Sequence, residues 1–148
     1  MKLKPASRVA ELGNTIGDEL LKVHVSYGPL VQKLLRKFNG KGPMTIKALA
    51  HITGGGFVDN IPRVLPKNCD VVIHKGSWAP LPIFQLIERE GGIPENELYQ
   101  VFNMGIGMTI IVSPDKAETV LRFIKTRKHK AWVIGEVVRG SGTARVLS

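Results

Sequence analysis

The stretch from His51 to Arg63 gathers residue types that can bind and orient an anion. It reads His51-Ile52-Thr53-Gly54-Gly55-Gly56-Phe57-Val58-Asp59-Asn60-Ile61-Pro62-Arg63. Three glycines in a row weaken helix and strand alike, because glycine loses more backbone freedom on folding than any other residue. In return the backbone is bare, so a ligand can approach its N–H groups, and at a helix start those groups favour negative charge. Thr53, Gly54, Gly55 and Gly56 are therefore candidate phosphate ligands, with the Thr53 hydroxyl as an extra donor. A simple close turn is the competing reading. Asn60 and Arg63 are about one helical turn apart and can share a face toward the same ligand. The planar fork of Arg63 matches phosphate or carboxylate oxygens, and a surface ion pair is its alternative. Asn60 is otherwise a helix cap. His51 shares a strand face with Thr53, which makes it a candidate donor or general acid–base group, or else a buried histidine satisfied by its neighbours.

A second group follows at Asn103, Gly105 and Gly107. Glycines at alternate positions leave one strand face bare, so these residues either line a cleft or admit a closely packed neighbour. His24, His74 and His129 have no spacing to each other or to carboxylates that suggests a metal site. Asp59 and Glu136 are too far apart to read as a catalytic pair. Met104, Met108 and Trp132 read as core or interface residues, and Phe57 either covers a ligand or packs in the core.

The elements that must hold these residues are legible from periodicity. Residues 1–27 read as a polar tail or connector with a short apolar entry; 28–148 read as one domain. Pro29 suits a first helical turn, and Leu30, Val31, Leu34, Leu35 and Phe38 form one stripe ended by Asn39-Gly40. Ile46, Ala48, Ala50 and Ile52 alternate with Lys47, Leu49, His51 and Thr53, as in a strand that runs into the glycines. Residues 57–65 predict an irregular helix that Pro62 begins or divides. A strand over 70–74, a helix from Pro82 stopped at Gly91-Gly92, and a helix after Pro94 come next. Residues 106–112 predict a strand, and Ser113-Pro114-Asp115 starts a helix. Trp132–Val138 and Thr143–Leu147 read as a terminal hairpin around Gly140-Ser141-Gly142. The sum is an α+β fold, an α/β sandwich with helices packed on a mixed sheet.

Length and composition suit one folded domain: 148 residues, 43% hydrophobic and 22% charged. No apolar run approaches a membrane span. Cys69 is the single cysteine, which excludes an internal disulfide and suits a reducing cytoplasm. The net charge of +9 admits an anionic substrate, an acidic neighbouring surface, or nucleic acid. Nucleic acid is the least favoured of these, because no arginine-rich tail or basic–aromatic interleaving is present.

His51 to Pro66 closely resembles the signature of the aminoimidazole ribonucleotide synthetase (phosphoribosylformylglycinamidine cyclo-ligase) family. Phe102-Asn103-Met104-Gly105-Ile106-Gly107-Met108 and Ala131-Trp132-Val133-Ile134-Gly135-Glu136-Val137-Val138 resemble it in the same order. The resemblance is to the C-terminal half of that family, with partial likeness to a ferredoxin-like arrangement; the N-terminal half, with its acidic metal loops, has no counterpart. Val23-His24 departs from a Pro-Thr pair common at that place, whereas Tyr27 fits.

The resemblance implies ATP- and magnesium-dependent ring closure of formylglycinamidine ribonucleotide to aminoimidazole ribonucleotide in purine biosynthesis. It implies that ATP and magnesium are bound mainly by the N-terminal half, that no metal is held here, and that the glycine loop takes the substrate's ribose phosphate. It further implies a cytoplasmic homodimer for the full-length enzyme, with this region alone inactive and monomeric. The alternatives are a non-catalytic phosphate- or nucleotide-binding module of the same superfamily, and a basic nucleic-acid binder.

Overall fold

Arg8–Val9 (β1) and Asn14–Thr15 (β2) pair antiparallel, and Ile16–Leu20 (α1) follows directly. The Thr15 hydroxyl caps α1 by accepting from the Asp18 N–H at 3.1 Å. Glu11 accepts from the Arg89 guanidinium at 2.8 Å, which ties this entry to a helix far along the chain. Residues 22–27 are neither helix nor strand, and Val23 is 95% exposed. The computed structural model describes residues 3–147; Met1, Lys2 and Ser148, the outer ends of the two segments read from sequence, lie outside it.

The remaining elements, in order, are Gly28–Phe38 (α2), Ile46–His51 (β3), Gly56–Asn60 (α3), Cys69–His74 (β4), Pro82–Gly91 (α4), Glu95–Val101 (α5), Met108–Val112 (β5), Ala117–Lys125 (α6), Gly135–Arg139 (β6) and Ala144–Leu147 (β7). Pro29 sits in the first turn of α2, where its missing N–H costs nothing, and Leu30 and Leu34 face inward. Asn39 ends that helix and joins it to β3. Its amide donates to the Ile46 carbonyl at 2.9 Å while its oxygen accepts from the Thr45 and Ile46 N–H groups. Helices α2 and α6 cover the antiparallel ribbon β3–β5 through Leu30, Leu34, Ile46, Val120 and Ile124. A separate core of Ile52, Phe57, Ile61, Ile73, Trp78, Leu98 and Tyr99 joins α3, α5 and β4. The fold is α+β with a mixed sheet, as the periodicity predicts.

The terminal strands correct one expectation. β6 and β7 do not pair as a hairpin; β4 lies between them, antiparallel to β6 and parallel to β7. The Gly140–Thr143 turn therefore spans the width of an intervening strand, and Asp70 at the start of β4 holds it. One oxygen of that carboxylate accepts from the backbone N–H groups of Ser141, Gly142 and Thr143 at 2.8, 3.1 and 2.9 Å. The local residues Gly-Ser-Gly suit either arrangement, and the observed one is made by ladders to a strand far earlier in the chain.

Those donors, led by the Thr143 N–H, hold the Asp70 carboxyl down at about 2. A carboxyl lowered by folding contributes stability above its unfolded value and loses that contribution as pH falls through its folded one. We expect the unfolding midpoint in urea to fall as pH drops from the ordinary carboxylate range toward 2. Asp70→Asn, which cannot ionise, should lower the midpoint at neutral pH and flatten that acid limb; a parallel pH profile for the variant would contradict the assignment.

Candidate functional site

β3 delivers the chain into Thr53 with His51 exposed at its end, and α3 begins at Gly56. Each glycine between them has a different physical cause. Gly56 has φ +53°, and a Cβ on it would overlap the Tyr99 carbonyl oxygen and sit 3.0 Å from the Gln100 carbonyl carbon. The loop thus packs backbone to backbone against α5. Gly55 has φ +91°, and its Cβ would meet that of Asp59 at 2.7 Å. Gly54 would meet nothing within 4 Å. Packing explains the second and third glycines and leaves the first open.

Asn60 is only 4% exposed and is spent on the loop itself. Its amide nitrogen donates to the carbonyls of Gly56 at 2.8 Å, Gly54 at 3.2 Å and Thr53 at 3.4 Å, and its oxygen accepts from the Thr53 hydroxyl at 3.4 Å. It therefore clamps the carbonyl side of the loop. Arg63 is exposed on the 3₁₀ turn Pro62–Val64, which continues from α3 because Pro62 divides the helical segment. With its carbonyls tied inward, the loop's remaining polarity is its N–H groups. Gly56 N–H donates to Thr53 O and Asp59 N–H to Gly55 O. The N–H groups of Gly54, Gly55, Phe57 and Val58 take part in none of the loop's hydrogen bonds among the described residues.

One cavity borders the loop and another lies apart from it. A small one beside Gly55 is lined by Asp59, Asn96, Glu97, Gln100 and Val101. Its two carboxylates make it unsuited to an anion, which leaves the Gly54 side as the approach. A larger one of about 930 Å³ lies between β5 and residues 129–137. Its walls are mainly apolar, including Ile110, Val112, Trp132 and Val133, and none of residues 51–60 lines it.

Asn103, Gly105 and Gly107 form a turn that docks beside the end of β3. Ile106 N–H donates to Asn103 O at 2.8 Å with Met104 at φ +49° and Gly105 at φ +91°, the geometry of a type I′ turn. The Asn103 side chain accepts from the Gly105 N–H at 2.9 Å, and the Trp78 indole donates to the Met104 carbonyl at 2.9 Å. Gly107 accepts from Ile52 N–H at 2.9 Å, and the Tyr27 ring covers the space a Cβ would occupy. The bare glycine face is thus filled by packing at Gly107, and β5 begins only at Met108. Burial pushes the Tyr27 phenol up, partly offset by its hydrogen bond with the Gly107 backbone.

His51 is not buried; its ring meets those of His24 and Tyr27 edge-on, with centroids 6.0 and 6.1 Å apart. The sequence gives no cue for His24 because it lies 27 positions before His51 in a segment without periodicity. Phe57 is fully buried against Trp78 and Tyr99, so it is a core residue.

Residues 6–147 match the family model described as "AIR synthase related protein, C-terminal domain". The chain belongs to this family. It is 44% identical to a phosphoribosylformylglycinamidine cyclo-ligase from Geobacillus thermodenitrificans over 87% of its length, and 42% identical to one from Syntrophotalea carbinolica over 94%. A third, from Caldicellulosiruptor saccharolyticus, is 45% identical over 89%. The matched region makes up 36%, 38% and 37% of those proteins, so the chain spans just over a third of the relatives' length. The family match includes residues 6–20, which form the small hairpin and α1 here. Among the described residues no helix is long and apolar enough to cross a membrane.

Proposed function

We propose that this chain is the substrate-side part of a cytoplasmic phosphoribosylformylglycinamidine cyclo-ligase, and that the Thr53–Gly56 loop holds the ribose phosphate of formylglycinamidine ribonucleotide. The observation that carries the loop's role is the open Gly54 beside N–H groups whose opposing carbonyls are clamped by Asn60. A loop fixed in this way presents donors without reorganising on binding, and pre-organisation is what gives a phosphate site its affinity. Exposed Arg63 supplies a cation nearby in sequence that can fork onto phosphate oxygens.

ATP with magnesium, bound mainly by the rest of the enzyme, supplies the phosphoryl group that turns the formyl oxygen of the substrate into a leaving group. The described residues offer no cluster of three His, Cys, Asp or Glu side chains that would hold a metal. This chain's part is binding and orientation. Gripping a phosphate remote from the reacting atoms spends binding energy on alignment of the amidine nitrogen with the formyl carbon. His51, exposed at the end of β3 and flanked by two rings, is placed to donate a hydrogen bond or move a proton at that end.

A chimera tests this reading: the chain replaces the matching region of the Geobacillus relative in the full-length protein. We expect ATP-dependent formation of aminoimidazole ribonucleotide, while the chain alone forms none. A folded chimera that binds ATP and formylglycinamidine ribonucleotide but closes no ring would overturn the assignment.

A further inference from the structure

Two basic runs far apart in sequence converge on one face of the molecule, away from the glycine loop. Phe38 at the end of α2 meets Phe123 of α6 edge to face, with centroids 5.2 Å apart. Lys37 Nζ lies 5.5 Å from the Phe123 ring centre, and the Arg127 guanidinium lies 3.3 Å from the same centre. One ring therefore gathers a lysine of α2 and an arginine just beyond α6. Arg127 is fixed there, since its Nη1 donates to the Phe123 carbonyl at 2.9 Å and to the Thr126 hydroxyl at 3.0 Å. Lys33 and Arg36 are exposed on α2, and Lys125 and Lys128 are exposed at the end of α6.

None of these six cations is in an ion pair among the described residues, and the two helices carry a single acid, Glu118. Like charges gathered on one face repel and hold counterions, and a polyanion that displaces those ions gains the free energy of their release.

The surface also indicates which kind of polyanion. Protein partners are anchored by aromatic or large apolar side chains buried at the centre of the contact. Here Leu35, at 37% exposed, is the one large hydrophobic residue of α2 or α6 that is exposed. Nucleic-acid interfaces are far more positive than protein ones and need no such anchor. Base stacking on single strands requires open ring faces. The Phe38 and Phe123 rings are instead half-buried against each other and overlaid by cations.

We propose that the α2–α6 face binds the phosphate backbone of a nucleic-acid duplex without sequence preference. This interaction is separate from the loop and stands whether or not the loop takes a ribose phosphate.

Fluorescence anisotropy with a labelled random-sequence duplex, from about 50 to 200 mM salt, tests it. Arg36→Glu with Lys125→Glu should weaken binding by roughly tenfold or more and flatten the salt dependence. Lys67→Glu with Arg139→Glu changes net charge equally at other exposed positions and should weaken it by less than about threefold. Should the charge reversals shift the unfolding midpoint, Lys33→Gln with Lys128→Gln makes the same comparison more gently. Equal losses in the two sets would reduce the effect to net charge and overturn the proposal. So would polyglutamate competing as well as duplex, or single strands binding as tightly.

Discussion

Gly56→Ala should destabilise the protein by about 3 kcal/mol, combining the cost of a left-handed alanine with a methyl forced against the α5 backbone. For a chain of this size that lowers the thermal midpoint by about 10 °C. The added Cβ overlaps the Tyr99 carbonyl, and neither partner is the movable end of a side chain. Gly54→Val is expected to behave oppositely. Its side chain enters open space, so stability should change by less than about 1 kcal/mol, whereas phosphate affinity should fall by roughly tenfold or more. Gly55 is a poorer probe, since its φ of +91° and the nearby Asp59 make any side chain a folding defect as well. Calorimetry of unfolding beside titration with ribose 5-phosphate separates the two effects. If Gly54→Val binds as tightly as the parent, the loop is only a turn.

Asn60→Ala should cost about 1–3 kcal/mol, because it removes the side-chain donor to the buried Gly56 carbonyl and to the part-buried Gly54 carbonyl. Asn60→Asp should be worse at neutral pH, since it turns a carboxylate toward the same oxygens. That environment raises the folded-state pKa of the introduced acid, so its protonated form is the better tolerated one. The stability deficit of Asn60→Asp should then shrink as pH falls through that raised value toward the ordinary carboxylate range. Urea midpoints measured from neutral to mildly acidic pH check this, and a deficit that grows on acidification would mean the side chain points elsewhere.

Local pattern made much of the fold legible. The β3 alternation, Pro29 at the head of α2, and Pro62 dividing the helical segment after the glycines all follow from short-range chemistry. Strand order did not follow. The β4 insertion between β6 and β7 is made by ladders between segments far apart in sequence, with the Asp70 carboxylate on the connecting turn, and no periodicity encodes that. In the site, the glycine run was visible as a run, but which glycine is open depends on α5 and Asp59 around it. Asn60 has the same letter whether it caps a helix, touches a ligand or clamps a loop. Its burial and its three carbonyl partners assign the last of these. His24 came to His51 through tertiary packing of a segment with no pattern of its own.

The most direct test is a nitrogen-15 amide titration of the chain with ribose 5-phosphate, with ribose alone as the control. The loop reading predicts saturable shifts at Thr53 to Val58 that ribose does not produce and that Gly54→Val abolishes. Shifts confined to other residues, or identical responses to ribose and its phosphate, would contradict it.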